Sequence, residues 1–171
     1  VVDPIDGTRE YLMGLPEYAV SVALVIDRVP ALGVVYNPAT GQLAQAVSLE
    51  TVERDSEVAP PEYHVLVGRG EQRWDEVPPL PGRARTQGIG SIAYRLALVA
   101  AGHGDAVVTG SGRAEWDVAA GAALCLAAGL RVTDVLGEPM RFNQPEPYVR
   151  GLLVARPGLH RRIRGHFESL R

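Results

Sequence analysis

Asp105-Ala106-Val107-Val108-Thr109, then Glu115-Trp116-Asp117-Val118-Ala119-Ala120-Gly121 running on to Ala128-Gly129, then Arg131-Val132-Thr133-Asp134-Val135, read as strand, helix and strand. The outer runs are short and β-branched, whereas the middle one is long, rich in small residues and ended by a glycine. The alternation extends outward in both directions. Upstream, His64 to Val67 and Ala84 to Gln87 are predicted strands with a Pro78 to Gly82 loop between them, and Ser91 to Ala101 is a predicted helix. Downstream, Leu152 to Ala155 reads as a strand and His160 to Leu170 as a closing helix. Strands separated by helices of this length need crossover connections, which predicts a mixed or parallel sheet with helices on its faces.

The first third of the chain is patterned differently. Ala19 to Ile26 and Ala31 to Tyr36 are apolar runs of strand length around a turn at Asp27-Arg28-Val29-Pro30. Asn37-Pro38-Ala39-Thr40-Gly41 is a second turn by its chemistry, and Gln42 to Val47 continues as a third strand of an antiparallel meander. From Ser48 to Tyr63 the composition shifts to Glu, Asp and Pro. That shift predicts a surface connection between an amino-terminal lobe, residues 1–60, and a carboxyl-terminal α/β lobe, residues 61–171. Repeats and low-complexity tracts are absent.

Composition narrows the function. With 171 residues and 46% hydrophobic content the chain can bury a substantial core. A net charge of −3 argues against a grip on a nucleic acid polymer and for a small soluble partner. Cys125 is the only cysteine, which rules out an intrachain disulfide or a cysteine-rich zinc site and fits a cytoplasmic setting. No apolar run has the length of a membrane span.

Two segments carry chemistry. Asp3-Pro4-Ile5-Asp6-Gly7-Thr8 sets two carboxylates three positions apart around a proline that fixes φ. Mg²⁺ takes hard oxygen ligands, one or two carboxylates with water and phosphate completing the shell, so closely spaced aspartates suit it. Gly7 allows close backbone approach to an anion, and a helix starting near Thr8 would add free N–H groups and a hydroxyl. The same residues are turn formers, so a plain turn is the competing reading. Glu115-Trp116-Asp117 places further acids at the start of a small-residue helix, where acids are also ordinary because the helix dipole favours them.

Together these segments resemble the inositol monophosphatase superfamily of Mg²⁺-dependent, lithium-sensitive phosphatases. The resemblance covers essentially the whole chain, including the hairpin from Val20 to Tyr36 and the stretch from Gly90-Ser91-Ile92-Ala93 to Asp105. Glu10 stands where inositol monophosphatases commonly have asparagine, and Gly110 where they tend to carry an acid. With Pro16-Glu17-Tyr18, these residues look more like the CysQ-type 3′(2′),5′-bisphosphate nucleotidases, which remove the 3′-phosphate of adenosine 3′,5′-bisphosphate, a by-product of sulfate activation. An inositol-1-phosphate phosphatase is the alternative.

The resemblance implies an α/β fold, the layered αβαβα sandwich of the sugar phosphatases with mixed sheets, and a plausible homodimer. It also implies two or three Mg²⁺ ions, with Asp3 bridging two of them, Ile5 offering its carbonyl, and Asp6 and Asp117 as further ligands. Gly7, Thr8, Gly90, Ser91, Ile92 and Asp117 would face phosphate or substrate, and Thr8 and Asp6 would be catalytic. The implied chemistry is in-line attack of an activated water on phosphorus while a second metal stabilises the leaving alkoxide. Family members carry a further metal-binding glutamate and a water-activating aspartate ahead of the first motif. The chain opens inside that motif at Val1-Val2-Asp3 and so reads as amino-terminally truncated, which makes an inert metal- and phosphate-binding fragment a further alternative. Bare carboxylates also repel, by roughly 4 kcal/mol per pair at 4 Å and an effective dielectric of 20, so metal is expected to stabilise the fold.

Other signals carry blander readings. Gly88-Ile89-Gly90-Ser91-Ile92-Ala93 matches a loose dinucleotide fingerprint, but the acid expected at the end of the next strand is missing. Arg161, Arg162, Arg164 and Arg171 read as a solvated helix face, and His64, His103, His160 and His166 lack metal-ligand spacing. Cys125 reads as core packing. Trp116 reads as a core anchor that aims Asp117, with stacking on adenine as the other role.

Overall fold

The computed structural model describes residues 1–47 and 58–170. Most of the predicted connection from Ser48, residues 48–57, lies outside the described residues.

The amino-terminal third forms a four-stranded antiparallel sheet in the order β1 (Val2–Asp6), β2 (Ala19–Ile26), β3 (Val29–Asn37), β4 (Gln42–Val47), with the short helix α1 (Thr8–Leu12) after β1. The turn between β2 and β3 is tighter than expected. Only Asp27 and Arg28 lie in it, both at positive φ, a geometry that matches the twist of the flanking strands. Val29 and Pro30 belong to β3, and Pro30 sits where the ladder shifts register, a position that tolerates its missing N–H.

The rest of the described chain runs β5 (Glu62–Gly68), α2 (Arg69–Arg73), β6 (Arg83–Ile89), α3 (Ile92–Ala100), β7 (Ala106–Thr109), β8 (Arg113–Ala114), α4 (Glu115–Ala127), β9 (Arg131–Thr133), β10 (Tyr148–Val149), β11 (Leu152–Ala155) and α5 (Pro157–Ser169). Five of these strands form a mixed sheet in the order β6-β5-β7-β11-β9. β5 is parallel to β6 and β7, and β11 is antiparallel to β7 and β9. β8 and β10 pair as a two-residue ribbon. β9 stops at Thr133, short of the expected Val135, because the Asp134 carboxylate accepts the N–H groups of Leu136 and Glu138 and turns the chain.

Side-chain alternation produces the layers. Leu66, Val107, Leu152 and Val154 point to one face of the five-stranded sheet and pack with α3 and α4. Val65, Val67, Val108, Leu153 and Ala155 point to the other face and meet Leu159 and Ile163 of α5. α3 and α4 also contact the inward face of the four-stranded sheet through Ala19, Ala23 and Val35. The layer order is therefore sheet, helices, sheet, helix, an α/β sandwich with a continuous core. Small residues permit the close stack. A Cβ on Gly33 would lie 2.2 Å from the Ala120 carbonyl oxygen, and one on Gly121 would lie 2.4 Å from Leu96 Cβ. Cys125 is fully buried in this core, as expected.

Candidate active site

The two aspartates of the first motif share a face because of one irregularity. β1 pairs Asp3 with Ser21 but Asp6 with Ala19, so three steps on β1 match two on β2. In a regular strand residues three apart point to opposite faces, and the extra residue of the bulge returns Asp6 to the inward side with Asp3. Both are buried. The Asp3 carboxylate accepts the Ile5 N–H at 2.9 Å, and the Thr8 hydroxyl donates to the Ile5 carbonyl at 3.0 Å, which leaves the lone pairs of that hydroxyl free to accept.

α1 begins at Thr8 as expected, with Gly7 before it at φ 84°. A Cβ on Gly7 would meet the Glu17 carbonyl oxygen at 2.8 Å and Ser91 Cβ at 3.1 Å, so glycine is required both by conformation and by space. The helix is five residues long and its dipole correspondingly small. Among the described hydrogen bonds none engages the N–H groups of Gly7 or Thr8.

Asp117 comes from the first turn of α4, and its carboxylate lies within 4.8 Å of those of Asp3 and Asp6. Burial, then Asp6, then Asp3 push Asp117 up to about 7, against the N–H of Ala114 that pulls it down. Burial likewise raises Asp6, opposed by hydrogen bonds from Ser91 and Ala93. The negative charge here is crowded: Asp3 and Asp6 both push Asp117 up, and the positive charge of Arg95 offsets this only as the smallest of the influences on Asp6.

Gly90, Ser91 and Ile92 lie beside this cluster at the start of α3, which would suggest that the helix's opening N–H groups face the phosphate. The N–H groups that open α3 are largely engaged within the protein. Gly90 N–H donates to the Glu17 carboxylate at 2.9 Å, Ser91 N–H to the Glu17 carbonyl at 3.1 Å, Ala93 N–H to Asp6 at 2.6 Å, and Tyr94 N–H to the Ser91 hydroxyl at 3.0 Å. The Ser91 hydroxyl in turn donates to Asp6. The segment thus aims Asp6, and the free amides for an anion are those of Gly7 and Thr8.

Three residues near the site were not foreseen. Glu17 joins Arg69 in an ion pair while holding Gly90. Arg95, buried on α3, lies 3.7 Å from Glu71, and burial lowers its guanidinium to about 10, where it stays protonated. Glu71 is held below the ordinary carboxylate value despite its burial, by Thr109, Arg95 and Arg113. A lone arginine in the apolar run Ile92 to Ala97 was the available signal. Glu10 is also buried, and a Cβ on Gly90 would lie 2.2 Å from its Cδ. Trp116 departs from expectation. Its first-turn position faces outward, leaving it 38% exposed and edge-on to Tyr148 at 6.1 Å, so it is no core anchor. The Ser21 hydroxyl on the Trp116 carbonyl, at 3.3 Å, ties β2 to the start of α4 instead.

The inositol monophosphatase family model matches residues 1–170. The chain belongs to the inositol monophosphatase family. Among its relatives, the probable inositol 1-monophosphatase ImpA of Mycobacterium tuberculosis is 33% identical over 95% of this chain and 65% of that protein. A 3′-phosphoadenosine 5′-phosphate phosphatase of the same species is 30% identical over 91% of this chain and 61% of that protein. The crystal structure of CysQ from Bacteroides thetaiotaomicron superposes with a TM-score of 0.70 at 27% identity, covering 91% of this chain and 69% of that one. The chain thus spans less than two thirds of the length of these two curated relatives. Within the inositol monophosphatase family fold, this donor set fits a hard divalent cation: three carboxylates from two elements, with ligand oxygens within 4.8 Å of one another.

Proposed function

We propose that this chain carries the phosphomonoesterase site of a Mg²⁺-dependent phosphatase, acting on adenosine 3′,5′-bisphosphate to remove the 3′-phosphate. The convergence of Asp3, Asp6 and Asp117 carries this reading. A divalent cation held there supplies Lewis-acid polarisation of phosphoryl oxygen and a more acidic water. The chain's own residues orient the reaction. Ser91 and Ala93 both donate to one oxygen of Asp6 and so fix the orientation of its carboxylate. Thr8, with its proton committed to the Ile5 carbonyl, offers a lone pair to an incoming water, and the amides of Gly7 and Thr8 offer donors to phosphate oxygens.

The preference for a nucleotide rests on Glu10 and Gly110, and on the space beyond the start of α4. A cleft of about 1070 Å³ there is lined by Gly110, Gly112, Gln144, Tyr148 and Arg150, with Tyr148 also touching Trp116. Tyr148, edge-on to the Trp116 that precedes Asp117, offers one aromatic ring on which a base could stack. The identity to ImpA supports inositol 1-phosphate as the second reading.

Phosphate release from adenosine 3′,5′-bisphosphate and from inositol 1-phosphate, with Mg²⁺ and with or without Li⁺, tests this. Mg²⁺-dependent, Li⁺-inhibited release from the nucleotide that disappears in Asp117→Asn is the expected result. Release from inositol 1-phosphate alone would replace the nucleotide reading with the second one. No release from either substrate would mark this chain as an inert cation-binding fragment.

A further inference from the structure

One buried carboxylate outside the aspartate cluster has no part in the chemistry above. Glu71, on the five-residue helix α2, is 4% exposed. It accepts the Gly68 N–H at 2.8 Å and the Thr109 hydroxyl, pairs with Arg113 at 3.3 Å, and lies 3.7 Å from Arg95. The Arg113 guanidinium also donates to the Thr109 hydroxyl at 3.2 Å. A Cβ on Gly68 would lie 2.4 Å from Glu71 Oε2, so glycine at the end of β5 makes room for the carboxylate. Despite its burial Glu71 stays ionised, because Thr109, Arg95 and Arg113 favour the charged form.

Each guanidinium leads to a different aspartate of the cluster. Arg95 is on α3, one turn after Ser91 and two residues after Ala93, the two that hold Asp6. It is fully buried, and Glu71 stabilises its charge more than Asp6 or Glu10 does. Arg113 is on β8 next to Ala114, whose N–H donates to Asp117. A buried guanidinium deprived of its carboxylate is costly, so the segment that bears it shifts to reach water or another acceptor. A Mg²⁺ site tolerates little of that, since the ion demands near-ideal octahedral geometry.

We propose that Glu71 is a positioning residue of the cation site, fixing through Arg95 the segment that aims Asp6 and through Arg113 the segment that aims Asp117. The inference rests on the reading of the aspartate cluster as a cation site. One carboxylate on α2 thereby sets the separation of two ligands that come from β1 and α4.

Position and charge alone make opposite predictions for the two partners. If Glu71 and Arg113 acted only as distant charges, Glu71→Gln would weaken Mg²⁺ binding and Arg113→Gln would tighten it. If they position the ligands, both substitutions weaken it. Calorimetric titration of the chain with magnesium chloride separates the two cases. Glu71→Gln is expected to weaken Mg²⁺ by about tenfold and Arg113→Gln by about threefold, with the double variant weakened by less than the product because the two share one link. Thr109→Val, which removes a single hydroxyl from Glu71, is the milder variant should Glu71→Gln not fold, and it is expected to weaken Mg²⁺ by about threefold. Ile163→Val, on α5 across the five-stranded sheet, should lower the melting temperature and leave the Mg²⁺ affinity unchanged, so lost stability is not mistaken for lost position. Tighter binding in Arg113→Gln, unchanged binding in Glu71→Gln or Thr109→Val, or equal weakening in Ile163→Val would overturn this inference alone. A wild type that binds no Mg²⁺, or Asp117→Asn that binds it equally well, would overturn the cation reading and this inference with it.

Discussion

The two large sheets both contain strongly apolar strands, β2 and β3 in one and β5, β7 and β11 in the other, but they are covered differently. The five-stranded sheet has helices on both faces: α3 and α4 against Leu66, Val107, Leu152 and Val154, and α5 against Val65, Val108 and Leu153. Among the described residues the four-stranded sheet is covered on one face only. Its outward positions form cross-strand rows, Val20-Tyr36-Leu43, Val22-Val34-Gln45 and Leu24-Leu32-Val47, in which a single glutamine is polar and nothing is charged. Val22, Leu24, Tyr36, Leu43 and Val47 stand exposed there. An antiparallel sheet with one wet face normally alternates apolar and polar residues, so this face has the composition of a buried one. Strand composition therefore records what a sheet is made to be packed against, not what it packs against in this chain.

The sharpest way to break that comparison is to place a lysine on each sheet. Leu153→Lys buries an unpaired charge between the sheet and α5 and should destabilise the protein by more than about 3 kcal/mol, enough to prevent folding. Leu24→Lys, on the uncovered face, should change stability by no more than about 0.5 kcal/mol and lower the binding of an apolar dye such as anilinonaphthalene sulfonate. Urea denaturation and dye fluorescence report both. A large loss of stability in Leu24→Lys would show that the outward face is covered in solution.

The same contrast explains what was legible in the sequence. β2, β3, β5, β7 and β11 were readable because each holds an apolar run of its own, and so were α3, α4 and α5, whereas β1, Val2-Asp3-Pro4-Ile5-Asp6, reads as a motif or a turn and not as a strand. The tri-aspartate site was readable from two motifs that resemble one family, although only the β-bulge at Pro4-Ile5 explains how Asp3 and Asp6 come to face the same way. Features made by tertiary contact were not readable. Nothing in Pro16-Glu17-Tyr18 says that its glutamate reaches Arg69 and Gly90, and nothing near Trp116 says that it faces out. α2 and the β8–β10 ribbon are too short for any periodicity to show.

The seam between the sheets is where the aspartate cluster sits, with Asp3 and Asp6 on the one-sided sheet and Asp117 on the helix layer. Asp117 titrates near 7 in the folded protein and near its ordinary 3.8 when unfolded. The folded form therefore holds this proton more tightly. That contribution is full below about pH 4 and is lost as the pH rises through 7. Three pKa units correspond to about 4 kcal/mol, and solvent screening of a half-exposed group reduces this to about 1–2 kcal/mol. Without divalent cation, the melting temperature of the wild type should fall between pH 5 and pH 8 more than that of Asp117→Asn does. Mg²⁺ at pH 8 should restore it in the wild type and not in the variant, because a bound cation favours the deprotonated cluster. Equal pH slopes with and without the Asp117 carboxylate would remove the charge crowding from the account of this seam.

A smaller effect tests whether the seam is also tied outside the aspartates. Glu17 lies just before β2 and holds the segment that opens α3, through the Gly90 N–H at 2.9 Å and through Arg69 of α2. Its side chain is mostly buried, so this charged pair should outweigh an ordinary surface bridge, at about 1 kcal/mol. Glu17→Gln keeps the shape and removes the charge. It should lower the melting temperature by about 2–4 °C and weaken Mg²⁺ binding, since Gly90 and Ser91 position the partner of Asp6. Glu62→Gln is the matched control, because Glu62 pairs with Arg83 at 2.7 Å while both remain exposed. Its removal should be silent, as exposed pairs usually are. If the two variants melt alike and bind Mg²⁺ alike, the one-sided sheet is held to the helices by apolar packing on α4 alone, and the polar contacts along the seam serve only to aim Asp6.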